Sequence, residues 1–239
     1  MTGADQNRLA RTAGFAWLVI IVAGVFAEFY VRGSLVAAGD AGATAANIET
    51  AEGLFRLGIA SDLVMLIADI GVALLLYWLL RPVNQGLAQL AALFRLFQAA
   101  LLGANLHYLV DALQRLIGGA GVRLSETARQ TLALSALEAH AVGYDLGLVF
   151  FAFALFALGT LFFRSGYVPR VLAGALFAGG LVYLVGSLTV LLAPAQAATF
   201  EPFYFIPALA ELSLALWLLF RGVKTGRTET LRSNLGGAL

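Results

Sequence analysis

Ionisable side chains interrupt several of the long apolar stretches in this sequence. A charged group in a hydrocarbon environment is costly, so such residues normally face a protein interior, form pairs or line a water-filled cavity. Each one is therefore a candidate for proton transfer, cation binding or acid–base catalysis. The residues of this kind are Glu28, Asp62, Asp69, Arg95, His140, Asp145 and Glu211.

Asp69 and Arg95 carry opposite charges at matching positions in consecutive predicted helices. At 1.5 Å per residue, Asp69 lies roughly 16 Å from Leu80 and Arg95 roughly 13 Å from Gly86, both measured from the same side of the membrane. A buried Asp69–Arg95 ion pair between antiparallel neighbours then compensates both charges. Such a pair either fixes packing alone or belongs to a functional site.

The other polar residues predict an acidic pocket in the outer half of the bilayer. Asp62 lies seven residues before Asp69, which places the two within about 20° on one helix face. His140 and Tyr144 share a face through their four-residue spacing. The predicted lining residues, with Arg95 near the floor, are Glu28, Asp62, Asn105, His140, Tyr144, Asp145 and Glu211. The alternative is that these charges only fix helix packing.

Other chemistries find less support. Residues of the types that bind metals are present, but no H-E-x-x-H or comparable spacing occurs, so we predict no metal and no cofactor. No G-x-S-x-G, P-loop or G-x-G-x-x-G motif lies in a strand-to-helix context. The sequence has no cysteine, which excludes disulfides and thiolate ligands. Its net charge of +1, with basic residues near helix ends, argues against nucleic acid as a partner.

The composition predicts a membrane protein. Hydrophobic residues make up 61% and charged residues 12% of the chain, against about 45–50% and about 25% in soluble domains. Six apolar stretches reach the roughly 20 residues that span a hydrocarbon core. We predict an all-α integral membrane bundle of six transmembrane helices, a single domain over 1–239. The helices are expected at about 12–35, 51–80, 86–116, 126–163, 169–193 and 203–220, before a polar C-terminal tail over 221–239.

Local signals refine this outline. The loop after the first helix predicts a short helix at Ala43–Ile48, and Ser125 is placed to cap the fourth long helix. That helix is longer than one bilayer crossing. Either its start projects into water, or a short interfacial helix precedes a crossing from about Ala139.

The distribution of Lys and Arg predicts that both termini are cytoplasmic, because basic residues are enriched on that side. With this orientation the inner side holds Arg8, Arg11, Arg81, Arg164, Arg170, Arg221, Lys224, Arg227 and Arg232. The outer loops and adjoining helix ends hold Arg32, Arg56, Arg115, Arg123 and Arg129.

Several segments that carry charged residues inside apolar blocks resemble one family. They are AEFYVRGSL at Ala27–Leu35, EGLFRLGIASDL at Glu52–Leu63, ADIGVALLLYWLLRPVN at Ala68–Asn84, FRLFQAALLGAN at Phe94–Asn105, HAVGYDLGLVFF at His140–Phe151, RSGYVPRVLAG at Arg164–Gly174 and ELSLALWLLFRG at Glu211–Gly222. In this order they resemble the domain-of-unknown-function 4386 family of bacterial multi-pass membrane proteins. The resemblance implies a location in the bacterial inner or plasma membrane and carries no established activity.

Three functions stay open at this point. The one we favour is binding or transport of a small molecule or ion through the outward-facing acidic pocket. An enzyme acting on a lipid or isoprenoid would use the same carboxylates, with His140, as acid–base groups. A structural or regulatory membrane protein would need the polar residues only to hold helices together. The partners expected are membrane lipids and a small molecule or cation.

Overall fold

The computed structural model describes residues 2–117 and 124–224 of the chain. This part of the chain is built from helices without a β-strand. Six of the helices are long and apolar enough to cross a membrane. The predicted all-α fold with six membrane spans is confirmed, and the protein is a multi-pass membrane protein.

The first span, α1, is one continuous helical rod over Gly3–Leu35. It is α-helical over Gly3–Val25, π-helical over Phe26–Arg32 and α-helical again over Gly33–Leu35. A short helix, α2, occupies Ala41–Thr50 in the loop that follows. The other spans are α3 (Glu52–Leu80), α4 (Gln85–Ile117), α5 (Glu126–Ser165), α6 (Arg170–Leu192) and α7 (Phe205–Phe220), with 3₁₀ turns at Pro194–Thr199 and Glu201–Tyr204 before α7.

Helix α1 begins well before the apolar stretch that predicted it, at Gly3 instead of near residue 12. A capping box explains the early start, because Asp5 N donates to Thr2 Oγ1 at 3.2 Å and Thr2 N donates to Asp5 Oδ2 at 2.9 Å. Hydropathy cannot detect such a start. Ser125 caps α5 through a bond from Ala128 N at 3.3 Å, as predicted.

Two further boundaries differ from the expectation. Helix α5 is unbroken from Glu126 to Ser165, without a separate interfacial helix before Ala139. Helix α7 becomes α-helical only at Phe205, because a 3₁₀ turn with a proline near its start precedes it. The glycine-rich stretch 118–123 and the tail from 225 onward lie outside the described residues. So do three of the residues used to predict orientation, Arg123, Arg227 and Arg232.

The six spans form a closed ring. Each packs against the next in the order α1, α3, α4, α5, α6 and α7, and α7 packs back against α1. Helix α2 packs against α5 and touches α3 and α4. Because the ring is closed, one side of every span faces a shared interior.

Both described ends of the chain lie at the same end of this ring. Val223 N donates to Asn7 Oδ1 at 2.9 Å, which ties the segment after α7 to the start of α1. Lys224 N donates to the carbonyl of Tyr167, in the connection between α5 and α6, at 3.2 Å. That this end faces the cytoplasm remains a prediction.

Candidate functional site

Three charged side chains meet between α1 and α3 and form what we call the Arg32 cluster: Glu28, Arg32 and Asp62. Arg32 donates from Nη1 to Asp62 Oδ2 at 2.6 Å and from Nη2 to Asp62 Oδ1 at 3.3 Å. Its Nε donates to Glu28 Oε2 at 2.7 Å. Asp62 is only 2% exposed, whereas the Glu28 side chain is 57% exposed. The cluster is therefore buried at one end and open at the other.

Local backbone features bring these charges together. Glu28 and Arg32 both lie in the π-helical segment of α1, a distortion of helices that is frequent at functional sites. A Cβ built on Gly58 of α3 would lie 2.9 Å from Val31 Cγ1. The missing side chain at this position lets α1 and α3 approach closely, so that Arg32 reaches Asp62.

A second pair, Asp69 and Arg95, joins α3 to α4. Arg95 Nε donates to Asp69 Oδ1 at 2.9 Å, and Arg95 Nη2 bonds to the same oxygen. The Arg95 guanidinium lies 4.5 Å from the Trp17 ring centroid and 5.0 Å from that of Phe151, within the range of cation–π attraction. Arg95 is 1% exposed. Within the described residues its Nη1 is a buried donor without a partner.

Glu211 lies between α7, α1 and α6 and accepts two bonds from neutral donors. Trp17 Nε1 donates to Oε2 at 3.1 Å, and the Tyr183 hydroxyl donates to Oε1 at 2.9 Å. Glu211 is 7% exposed. Gly14 makes this contact possible, because a Cβ there would lie 2.6 Å from the carbonyl oxygen of Ala215. The closeness of α1 and α7 thus places Trp17 beside Glu211.

Asn105 and His140 connect α4 to α5. Asn105 Nδ2 donates to the backbone carbonyl of His140 at 2.8 Å. The His140 side chain is buried. Gly143 lies directly against the Asn105 amide, and a Cβ built there would be 2.7 Å from its Cγ.

Replacing Gly143 with alanine is expected to displace Asn105 and to destabilise the protein by about 1–3 kcal/mol, since added volume strains a packed contact. Gly71→Ala is the matched control, because a Cβ at that position meets no atom within 4 Å. Denaturant titration of both variants in detergent micelles measures the difference. Equal stabilities would contradict the close contact.

Asp145 and Ser187 connect α5 to α6. The Ser187 hydroxyl donates to Asp145 Oδ1 at 2.9 Å. A Cβ on Gly186 would lie 2.5 Å from the Tyr204 hydroxyl oxygen. The absence of a side chain at Gly186 therefore leaves room for the Tyr204 hydroxyl beside α6.

Tyrosine rings lie near several of these groups. Tyr144 is partly buried against the apolar core of the bundle, and its ring centroid lies 6.3 Å from that of His140. The Tyr183 and Tyr204 rings are 5.8 Å apart. Aromatic rings thus lie beside His140 and beside Glu211.

Each helix–helix interface of the ring contains an interior polar contact. The pairs are Arg32–Asp62, Asp69–Arg95, Asn105–His140, Asp145–Ser187, Tyr183–Glu211 and Glu211–Trp17. Polar side chains that bond across helices are a common means of helix association in membranes. These contacts therefore contribute to holding the ring closed.

The charges in these contacts do not balance. Five carboxylates, Glu28, Asp62, Asp69, Asp145 and Glu211, share two guanidinium groups, Arg32 and Arg95. Asp69 is matched by Arg95, and Arg32 matches one of the two carboxylates bonded to it. Asp145 and Glu211 bond to neutral donors. Because Glu28 is 57% exposed, the uncompensated carboxylates inside the ring are two, Asp145 and Glu211.

The structure places the predicted pocket residues at several helix interfaces around the ring. Glu28 and Asp62 both bond to Arg32. Asn105 donates to the backbone carbonyl of His140, and the Tyr144 ring lies near the His140 ring. Asp145 and Glu211 belong to separate contacts. His107 is exposed. Asp111 is bonded to Arg115 at 2.7 Å. In residues 2–117 and 124–224, no three His, Cys, Asp or Glu side chains converge as a metal site requires.

Sequence reasoning missed several residues of the site. Arg32 was counted only as a basic residue near a helix end, although its spacing of four from Glu28 is a recognisable pairing signal. Trp17, Tyr183 and Ser187 are uncharged and carry no local signal of their own. The partner of Trp17 lies 194 residues away, and those of Tyr183 and Ser187 lie on the next or the preceding helix.

A family model described as "Domain of unknown function (DUF4386)" matches residues 12–222. An uncharacterized protein from Archaeoglobus fulgidus is 29% identical over 166 residues, which cover 70% of this chain and 84% of that protein. No solved structure matches the chain.

Proposed function

Because the chain belongs to the family Domain of unknown function (DUF4386), whose description names no activity, we propose its function from the polar interior itself. The protein binds a small organic cation of the ammonium type at the interior carboxylates and exchanges it for protons, as a membrane carrier would. The observation that carries this proposal is the surplus of carboxylates over guanidinium groups inside the ring.

Helix packing alone does not account for this surplus. Asp145 accepts a bond from Ser187, and Glu211 accepts bonds from Trp17 and Tyr183. The carbonyl oxygen of an asparagine accepts a bond such as that from Ser187 without introducing a charge, and the carbonyl oxygen of a glutamine would accept one of the two bonds donated to Glu211. Uncompensated carboxylates in an apolar interior take up protons or attract cations. An ionisable group at these positions thus supports uptake of positive charge.

The arrangement favours an organic ammonium ion over a metal ion. The carboxylates are spread over several interfaces, and the Tyr183 ring, which lies 5.8 Å from the Tyr204 ring, belongs to a side chain bonded to Glu211. Aromatic faces attract ammonium groups, whereas a metal ion needs several ligands around one point. Glu28, the exposed member of the Arg32 cluster, offers a first carboxylate to an entering cation.

Thermal unfolding of the purified protein in detergent, near neutral pH and at constant ionic strength, tests this function. Methylammonium chloride is expected to raise the melting temperature more than sodium or potassium chloride does. A ligand present at 100 times its Kd stabilises the folded state by about 2.7 kcal/mol. Asp145→Asn, which can still accept the bond from Ser187, is expected to fold and to lose most of the methylammonium response.

Asp111→Asn is the matched control, because Asp111 is a carboxylate near the end of α4 that pairs with Arg115 one turn along the same helix. It should keep the full response. A wild-type response that is equal for the three salts would contradict the ammonium specificity. A response that Asp145→Asn leaves unchanged would contradict the site.

A further inference from the structure

A groove of about 400 Å³ runs along the outside of the ring between α3 and α4. Its apolar part includes Ile59, Leu63 and Val110, and Leu113, which is 5% exposed, belongs to its lining. Arg56 and Gln114 also line it. The groove is separate from the interior contacts, and the inference below does not depend on the proposed function.

The position of the groove matches that of one lipid chain. Arg56 lies one turn from the start of α3, and Ile117 is the last residue of α4, so this end of the groove is at the membrane boundary. Leu63 and Val110 are seven residues away along their helices, or about 10 Å deeper. The groove therefore descends from the boundary into the hydrocarbon region, as an acyl chain does.

An arginine and a glutamate lie at the end of the groove that is at the membrane boundary. Arg56 Nε donates to Glu52 Oε1 at 2.6 Å, and the side chains of Arg56 and Glu52 are 60% and 38% exposed. The remaining guanidinium N–H groups are suited to a phosphate, since arginine binds phosphate with several parallel hydrogen bonds. Glu52 is an acceptor suited to an ammonium group.

We propose that this groove binds phosphatidylethanolamine from the surrounding bilayer. One acyl chain lies along Ile59, Leu63 and Val110, the phosphate bonds to Arg56, and the ethanolamine ammonium bonds to Glu52. Phosphatidylglycerol also offers a phosphate to Arg56 but has no cation for Glu52. The choline head group carries a positive charge but no N–H donor. The paired charges thus select the ethanolamine lipid.

Native mass spectrometry of the detergent-purified full chain tests this selection. The protein is incubated with equal amounts of phosphatidylethanolamine, phosphatidylglycerol and phosphatidylcholine with identical acyl chains. We expect phosphatidylethanolamine to be retained about tenfold more than the other two lipids, a ratio equal to about 1.4 kcal/mol. Arg56→Gln should lower retention of all three lipids, and Glu52→Gln should abolish the preference for ethanolamine.

Two further variants separate the groove from general effects of charge. Ala60→Trp fills the groove from an exposed lining position and should lower retention of every lipid. Arg115→Gln removes a similar i,i+4 pair on α4, Arg115–Asp111, and should leave both retention and ranking unchanged. Equal retention of the three lipids by the wild type would overturn the proposal. So would unchanged retention in Ala60→Trp, or a loss in Arg115→Gln as large as that in Arg56→Gln.

Discussion

Asp69→Asn is expected to destabilise the protein by about 3–5 kcal/mol, because it leaves the Arg95 guanidinium buried without its bonded carboxylate. Arg95 is 1% exposed, and its Nη1 already lacks a partner within the described residues. Trp17 and Phe151 face the guanidinium with their rings, which attract a cation but accept no ordinary hydrogen bond. Denaturant titration in mixed micelles measures the loss.

The double variant Asp69→Asn/Arg95→Gln tests whether the loss comes from an uncompensated charge. Replacing both members of a buried ion pair by neutral groups is often close to neutral, so the double variant is expected to be more stable than either single variant. Losses that simply add in the double variant would show that the two side chains do not interact.

Arg32→Gln is expected to cost about 3–5 kcal/mol as well, since Asp62 is 2% exposed and loses both hydrogen bonds to its cation. The Arg32 cluster differs from the Asp69–Arg95 pair because it contains a second carboxylate. In Asp62→Asn, Arg32 keeps its bond to Glu28. That variant is therefore expected to lose less stability than Arg32→Gln, and the same titration compares the two.

Adding Asp62→Asn to Arg32→Gln is expected to recover much of the lost stability, because the buried uncompensated carboxylate disappears. The order of stabilities expected is wild type, Asp62→Asn, the double variant and then Arg32→Gln. A double variant less stable than Arg32→Gln would contradict a charge-based explanation for this cluster.

The fold could be predicted from hydropathy, because each span is an apolar stretch bounded by charges, glycine or proline. The depth of Asp69 and Arg95 could also be predicted, because α3 and α4 are consecutive and joined by a short connection. For two such helices, the number of residues from the connection is enough to predict that the two side chains lie at the same depth in the membrane. The structure has the two side chains in direct contact.

Contacts that depend on ring closure could not be predicted in the same way. Trp17 and Glu211 are separated by 194 residues, and they meet only because α7 returns to pack against α1. The π-helical turn that carries Glu28 and Arg32 was equally hidden, since hydropathy does not distinguish it from an α-helical turn. To predict which polar residues share one site, the order of the helices around the ring would have to be known.

The interior contacts have two consequences that experiments can separate. The hydrogen bonds link neighbouring helices, and the bond from Ser187 persists in Asp145→Asn, whereas Glu211→Gln keeps one acceptor oxygen for its two donors. The surplus of negative charge has no role in this linkage and introduces a cost in an apolar interior. We attribute the surplus to the exchange of protons for a cation.

Proton release on cation binding is the most direct test of this exchange. Methylammonium chloride is added to the purified protein in weakly buffered detergent solution, and a pH indicator records protons that enter the medium. The exchange predicts a saturable release from the wild type and a much smaller release from Asp145→Asn/Glu211→Gln. Saturable methylammonium binding to the wild type without any proton release, or equal release from the double variant, would contradict it.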